Sequence, residues 1–250
     1  MRKPSFEGEL VHHVRDALGS ILVIDYRKHR ILSFNSIFEQ SKIDRQKPYL
    51  PVHEYNRAML LPVAFRRPRN ATILGLGGGV LAAGLNHLLP DCDIHAVELR
   101  QAVVDVAKGY FGLPDSRRLK VTVGDARQAL IAMPDASTDL ILTDLYSSDR
   151  MSPTQAQSRF IEHCSRVLNA KGWLAINYHR PPSRDGALFR TLRGQFSTLL
   201  SFRSKTNNTV LYASKAPVDD LYEQDSRFGQ LEARLPIDWR RLMARVNRLG

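Results

Sequence analysis

"ILGLGGGVLAAG", residues 73–84, places glycines at 75, 77, 78 and 79 directly after an apolar run and just before a helical pattern. A strand that ends in clustered glycines and passes straight into a helix lets the backbone turn tightly and lie against a ligand with no Cβ atoms between them. The stretch decides the fold because the same rhythm, strand then helix, continues downstream. Strands are predicted at 72–76, 93–98, 119–123, 139–143 and 173–178, with helices at 79–89, 101–110, 125–132 and 154–169. This alternation predicts an α/β fold with a doubly wound, mostly parallel, Rossmann-like sheet and helices on both faces.

Upstream the pattern differs. "SILVIDY", "HRILSFN" and "IFEQSKI" are short β-rich runs that predict two or three antiparallel strands within residues 20–48. "LPVHEYNRAMLLPVAF" then reads as one helix leading to Pro68. Downstream come a helix at 186–197 and two runs, "LLSFRSK" and "NTVLYASK", close enough to pair antiparallel. The final stretch, "LEARLPIDWRRLMARVNRLG", reads as a basic amphipathic helix. The expected organisation is a small N-terminal β domain over 1–50 and a Rossmann-like domain over 51–250.

The chain has 250 residues, 43% of them hydrophobic and 24% charged, which suits a soluble globular protein with a sizeable core. No apolar run approaches the ~20 residues needed to cross a bilayer, so no membrane association is expected. The N-terminus mixes bases, acids and histidines and has no export pattern. Cys92 and Cys164 lie far apart without metal-ligand spacing, and reduced thiols in a cytoplasm are expected, with no metal. The formal net charge of +11 suits anionic partners such as nucleic acid, but it is dispersed in short groups such as "YRKHR" and "FRRPRN". A solvated surface is the better account of it, because surface charge runs usually mean only solubility.

Two acids sharpen the reading of the glycine turn. Glu98 ends the second strand, where a carboxylate can accept both hydroxyl protons of a ribose. Asp125 in "VTVGDA" ends the third, where it can meet an exocyclic amine of a base. Each alone is a surface or helix-capping acid; with the glycine turn, at three successive strand ends, they describe a nucleoside site. A dinucleotide fits poorly, because Val80 and Ala82 fall where the third glycine of G-x-G-x-x-G belongs. No G-x-x-x-x-G-K-[ST] is present to cradle phosphates. An adenosine carrying a sulfonium is the natural candidate.

At these residues the chain resembles the spermidine synthase family, the polyamine aminopropyltransferases, over nearly its whole length. "ILVIDYRKHRILSFNSIFEQSKID" is similar to the family's N-terminal hairpins ending in a Gln, "PVHEYNRAML" to its Y-H-E helix, and "ILGLGGGVLAAG" to G-G-G-D-G-G. "VELRQAVVDVAKGYF", "VTVGDARQAL" and "DLILTDLYSSD" resemble its E-[IL]-D, G-D-[AG] and D-x-x-D strand ends. The resemblance implies a class I S-adenosylmethionine methyltransferase fold and an adenosyl sulfonium donor, either S-adenosylmethionine or its decarboxylated form. It implies that Gln40 and His53 line the sulfonium pocket with the loop of Gly75, Gly77, Gly78 and Gly79. Glu98 would hold the ribose, Asp125 and Ala126 the adenine, and Asp144 would be the catalytic carboxylate. Tyr146, Asp149 and Tyr178 would line the site of a small-molecule amine acceptor, and a homodimer is implied.

Four departures stand beside it. Val80 replaces the Asp of G-G-G-D-G-G, Val52 the Tyr of Y-H-E, and Ser147 the second Asp of D-x-x-D, while no Tyr-Pro-Ser follows "INYHRPPS". Three readings follow: aminopropyl transfer to an amine; methyl transfer from S-adenosylmethionine, whose carboxylate tolerates Val80; and a non-catalytic module whose Arg240–Arg248 helix binds RNA or a partner. His12, His13 and Trp173 read as surface or packing residues. His179, at a strand end, is a candidate base without visible partners.

Overall fold

A computed structural model of the chain describes residues 8–34, 39–146, 152–218 and 225–249 and contains two sheets. The first is an antiparallel meander of β1 (Glu9–Asp16), β2 (Gly19–Tyr26), β3 (His29–Phe34) and β4 (Glu39–Asp44). β1, the strand beyond the expected two or three, is the polar "ELVHHVRD", recruited by pairing with β2. β4 is bulged: Leu32 pairs with Ser41 and Ser33 with Glu39, leaving Gln40 as the extra residue. A bulge re-aims side chains, and here Glu39, Gln40 and Ser41 all reach one cavity.

Two short helices, α1 (Glu54–Met59) and α2 (Pro62–Phe65), stand in place of the single expected helix. Pro62 cannot donate an N–H inside a helix but suits a helix start, and the chain restarts there.

The second sheet follows the predicted rhythm. In chain order it comprises β5 (Asn70–Leu74), α3 (Val80–Leu88), β6 (Asp93–Glu98), α4 (Gln101–Tyr110), β7 (Leu119–Val123), α5 (Ala126–Ala132) and β8 (Thr138–Thr143). A 3-10 turn (Pro153–Ala156), α6 (Ser158–Val167), β9 (Leu168–Tyr178), α7 (Ala187–Gln195), β10 (Thr198–Arg203) and β11 (Thr209–Ser214) come next. The chain closes with α8 (Asp225–Arg234), α9 (Trp239–Met243) and β12 (Asn247–Arg248). The strand order is β12-β10-β11-β9-β8-β5-β6-β7. Strands β5 to β9 pair in parallel; β11 runs antiparallel to β9, and β10 and β12 add further antiparallel pairs. The chain winds outward from β5 through β6 to β7, then crosses to β8 on the other side of β5, so a crevice opens at the strands' carboxyl ends.

Both faces of this sheet are buried, as a parallel sheet requires. On one face Leu140, Leu142, Trp173 and Ala175 pack with α3, α8 and α9 residues. On the other Ile141, Leu174, Ile176 and Tyr178 pack with Phe160, Ile161 and Cys164 of α6 and Leu192 of α7. Ile21, Val23, Leu32 and Ile43 of the small sheet pack on Val80, Val103, Val106 and Phe111.

The expected C-terminal basic helix is not continuous. Pro236 and Asp238, which has a left-handed backbone (φ 61°), separate α8 from α9. Trp239 is fully buried, its indole N–H donating to the Leu235 carbonyl at 2.8 Å. The segment therefore closes the core, and β12 pairs with β10, so Arg240–Arg248 forms no free helical arm. Among the described residues no helix is long and apolar enough to cross a membrane.

Candidate functional site

A cavity of about 1050 Å³ lies over the carboxyl ends of β5, β6, β7, β8 and β9, roofed by β4 and α1. Gly75 is the first residue after β5. Its φ is +90° and a Cβ would overlap the Asp144 carbonyl oxygen, so only glycine lets the β5 and β8 ends approach this closely. Gly79, with φ 75°, caps α3 in the left-handed region.

Gly75 and Gly77 line the cavity, whereas Gly78 and Gly79 do not. This corrects the expectation for those two. Gly78 donates its N–H to Ser41 Oγ at 2.9 Å and abuts Phe111, while Gly79 sits against Leu113. Their role is to seat the loop against β4 and its neighbours.

Glu98 is buried at the cavity wall, and both of its oxygens accept backbone N–H bonds. Oε2 takes Leu76 at 2.9 Å and Gly77 at 3.4 Å, and Oε1 takes Arg100 at 3.1 Å. One carboxylate thereby ties the glycine loop to the end of β6. Asp125 lines the cavity and also caps α5, accepting the Gln128 N–H at 2.9 Å; Ala126 is buried beside it. Gln40 and His53 line the wall formed by β4 and α1. His53 Nε2 is buried without a hydrogen-bond partner, the Glu39 carboxylate lying 3.8 Å away. Burial lowers the His53 pKa, favouring the neutral ring.

Asp144 is half-buried and lines the cavity. Its Oδ1 accepts Asn177 Nδ2–H at 2.8 Å, and the Tyr55 hydroxyl lies on the same side and helps hold its charge. Enclosure pushes its pKa up to about 6 against the lowering effect of these two donors. Tyr55 is raised well above its ordinary value by burial and then by the Asp144 charge. Tyr146 lines the cavity too; burial and then the Asp144 charge raise its pKa, against a lowering influence of Asn208 and the His179 backbone. Neutral, poorly ionised phenols beside a half-titrating carboxylate make this end of the cavity suited to exchanging a proton with a bound base.

Tyr178 is a correction. It is 1% exposed, packs in the α6 and α7 layer, and donates to the Gln155 carbonyl at 3.0 Å. Strand parity explains it: Tyr178 shares a face with Leu174 and Ile176, while Asn177 faces the other way and reaches Asp144. Asp149, and Ser147 with it, lie outside the described residues. His179 and Arg180 follow at the rim.

The groups that sequence reading missed are Tyr55, Asn56, Asn177 and Asn208. Asn208 donates to Asn177 Oδ1 at 3.1 Å, so a polar chain runs from the β10–β11 turn to Asp144. The signal for Asn177 was present, a lone polar residue in the buried run "WLAINY". Arg100 was also missed. It grips Asp16 through 2.9 and 2.7 Å bonds and the Gly19 carbonyl at 2.8 Å, and so fastens the small sheet to the cavity wall.

Known proteins resemble this chain in sequence and in fold. A methyltransferase domain model matches residues 73–176. A polyamine aminopropyltransferase from Chromobacterium violaceum is 25% identical, covering 86% of this chain and 87% of that protein. The crystal structure of a probable spermidine synthase from Corynebacterium glutamicum superposes with a TM-score of 0.76 at 19% identity, covering 89% of this chain and 87% of the other. That of human methyltransferase-like protein 13 in complex with SAH gives 0.61 at 22% identity, covering 79% of this chain and 94% of the other.

Proposed function

We propose that this chain, a transferase with the class I methyltransferase fold that resembles the polyamine aminopropyltransferases, transfers an aminopropyl group from an adenosyl sulfonium donor to a small-molecule amine. The observation that carries this reading is the Asp144 carboxylate, held by Asn177 at the end of β8 and lining the cavity. An amine attacking carbon beside a sulfonium moves positive charge from sulfur to nitrogen. A fixed carboxylate stabilises that charge as it develops and takes the proton. The thioether departs neutral and needs no acid.

In this reading the loop of Gly75 and Gly77 seats the adenosyl group, with Glu98 at the ribose and Asp125 and Ala126 at the adenine. Gln40 and His53 face the sulfonium, and a neutral His53 adds no repulsive charge there. A glycine-lined wall and an unpartnered buried ring nitrogen fit such a ligand.

A second reading, methyl transfer from intact S-adenosylmethionine, is favoured by one observation. Val80 is buried in an apolar cluster with Phe34 and Phe111 and offers no carboxylate to a decarboxylated donor's amine. Calorimetric titration with S-adenosylmethionine, its decarboxylated form and methylthioadenosine tests both. Tighter binding of the decarboxylated donor supports aminopropyl transfer; preference for intact S-adenosylmethionine replaces it with methyl transfer.

A further inference from the structure

Gln155, in the 3-10 turn between β8 and α6, is wholly buried outside the cavity, and the reaction above gives it no part. Its side-chain amide makes three hydrogen bonds. Oε1 accepts the Thr143 hydroxyl at 2.5 Å and the Leu145 N–H at 3.3 Å, and Nε2 donates to the Asn177 carbonyl at 2.9 Å. The Gln155 backbone carbonyl accepts the Tyr178 hydroxyl at 3.0 Å. Thr143 and Leu145 are the two chain neighbours of Asp144. All four bonds therefore fall on residues that carry the Asp144–Asn177 pair or stand next to it.

The sheet holds that pair from one side only. Asp144 N–H donates to the Leu74 carbonyl of β5 at 2.9 Å, but the β8–β9 ladder ends at Thr143 opposite Ile176, one residue before Asp144 and Asn177. Just past that last pair, the Gln155 amide takes an N–H from one strand end and gives its own to a carbonyl of the other, as an inserted peptide would. A primary amide suits the place because one rigid plane carries both an acceptor and a donor. Ser152 N–H donates to the Leu145 carbonyl at 2.8 Å, so both polar groups of the Leu145 backbone are engaged. Tyr178, which faces away from the cavity, holds the turn that presents the amide.

We infer that Gln155 is a positioning residue: from outside the cavity it sets the backbones of Asp144 and Asn177 at the separation where the Asn177 amide meets the carboxylate. The inference rests on the reading of Asp144 as the catalytic carboxylate. A reacting group displaced by about 1 Å can lose about 10²-fold in rate, so a buried clamp on both strand ends acts on turnover without touching substrate.

Gln155→Met keeps the length of the side chain and removes its three bonds. In the folded variant kcat should fall by about 10–100-fold, with methylthioadenosine affinity within about twofold of wild type. A second readout needs no turnover. Asn177 is a donor that lowers the Asp144 pKa, so loosening the pair should move that pKa above its value of about 6. Carboxyl 13C NMR follows the titration, with Asp144→Asn assigning the signal. Tyr55 and Tyr146, the titratable side chains that feel the Asp144 charge, stay neutral through the window because burial chiefly raises both. A merely structural role would lower the melting temperature and leave the Asp144 titration in place. Added to Asn177→Leu, Gln155→Met should cost little further kcat, since the pair it aligns is already lost. Should Gln155→Met fail to fold in thermal melting, Thr143→Val, which keeps the shape and removes one bond to the amide, should shift the titration the same way by less. An unmoved titration in the folded variant, or losses that multiply in the double variant, overturns the inference and leaves the transferase reading standing. No turnover by wild type with either donor defeats the transferase reading instead, and the titration still decides whether Gln155 sets the pair.

Discussion

Asn177 donates Nδ2–H to Asp144 Oδ1 at 2.8 Å across adjacent strands, while its own Oδ1 accepts from Asn208 at 3.1 Å. The pair works because β8 and β9 are parallel neighbours, so residues at their carboxyl ends emerge side by side. Asn177 directs one carboxylate oxygen and leaves the rest of the group facing the cavity. Its replacement by Leu should lower kcat while changing donor affinity little, and a purely structural role would instead show as a matching loss of methylthioadenosine binding.

Asp144 sets a pH limb. With a pKa of about 6 it is protonated below that value, so turnover should rise as pH increases through about 6. Asp144→Asn should abolish that limb and reduce kcat by about 10²–10⁴-fold. Retained donor binding by calorimetry would locate the loss in chemistry; loss of both would refute the catalytic role.

The same residue should oppose stability. Its folded pKa of about 6 lies above the ordinary 3.8, so the folded state holds the proton more tightly. Stability is then lost as pH rises from about 4 to about 6, by up to about 3 kcal/mol. Asp144→Asn should lack this decline and melt at higher temperature than wild type at neutral pH. Parallel melting curves across that window would show that the carboxylate is not held against ionisation.

Glu98→Gln removes a charged acceptor that serves three backbone N–H groups and turns an NH2 toward some of them. The change should cost about 1–3 kcal/mol of stability and weaken methylthioadenosine binding at least severalfold. Urea denaturation and calorimetry read the two effects separately, and unchanged affinity would remove Glu98 from the nucleoside site.

Arg100→Leu should release the small sheet. The Arg100 side chain is 8% exposed and holds Asp16, whose pKa is lowered chiefly by that hydrogen bond. Removing the cation forfeits the charge-assisted bonds to Asp16 and the Gly19 carbonyl and should cost about 1–2 kcal/mol, because water reaches the part-exposed Asp16. In wild type the Asp16 contribution is present above its ordinary pKa and fades as pH falls through the lowered one. Hydrogen exchange should show faster exchange in β1 and β2, with β5 to β9 unaffected; uniform destabilisation would argue against a local clasp.

What could be read from sequence was what repeats. β6, β7 and α4 fall at their expected bounds, because buried parallel strands and amphipathic helices impose periods that survive in any context. The glycine turn was legible for the same reason: few residues can occupy its backbone. Where tertiary contacts outrank local preference, reading failed. β1 exists through pairing with β2, and the C-terminal basic stretch folds inward around Trp239.

For the site, Gln40, His53, Gly75, Gly77, Glu98, Asp125, Ala126, Asp144 and Tyr146 come together in one cavity. Sequence alone fixed the kind of fold and the acids at its strand ends, since both follow from backbone geometry and strand order. Only the tertiary structure decided that Asn177 and not Tyr178 faces Asp144, that Gly78 and Gly79 support the loop from outside the cavity, and that Tyr55 and Asn56 line the same cavity as the carboxylate. Those outcomes depend on strand parity and on which helix packs over the crevice, and such relationships exist only between segments distant in the chain.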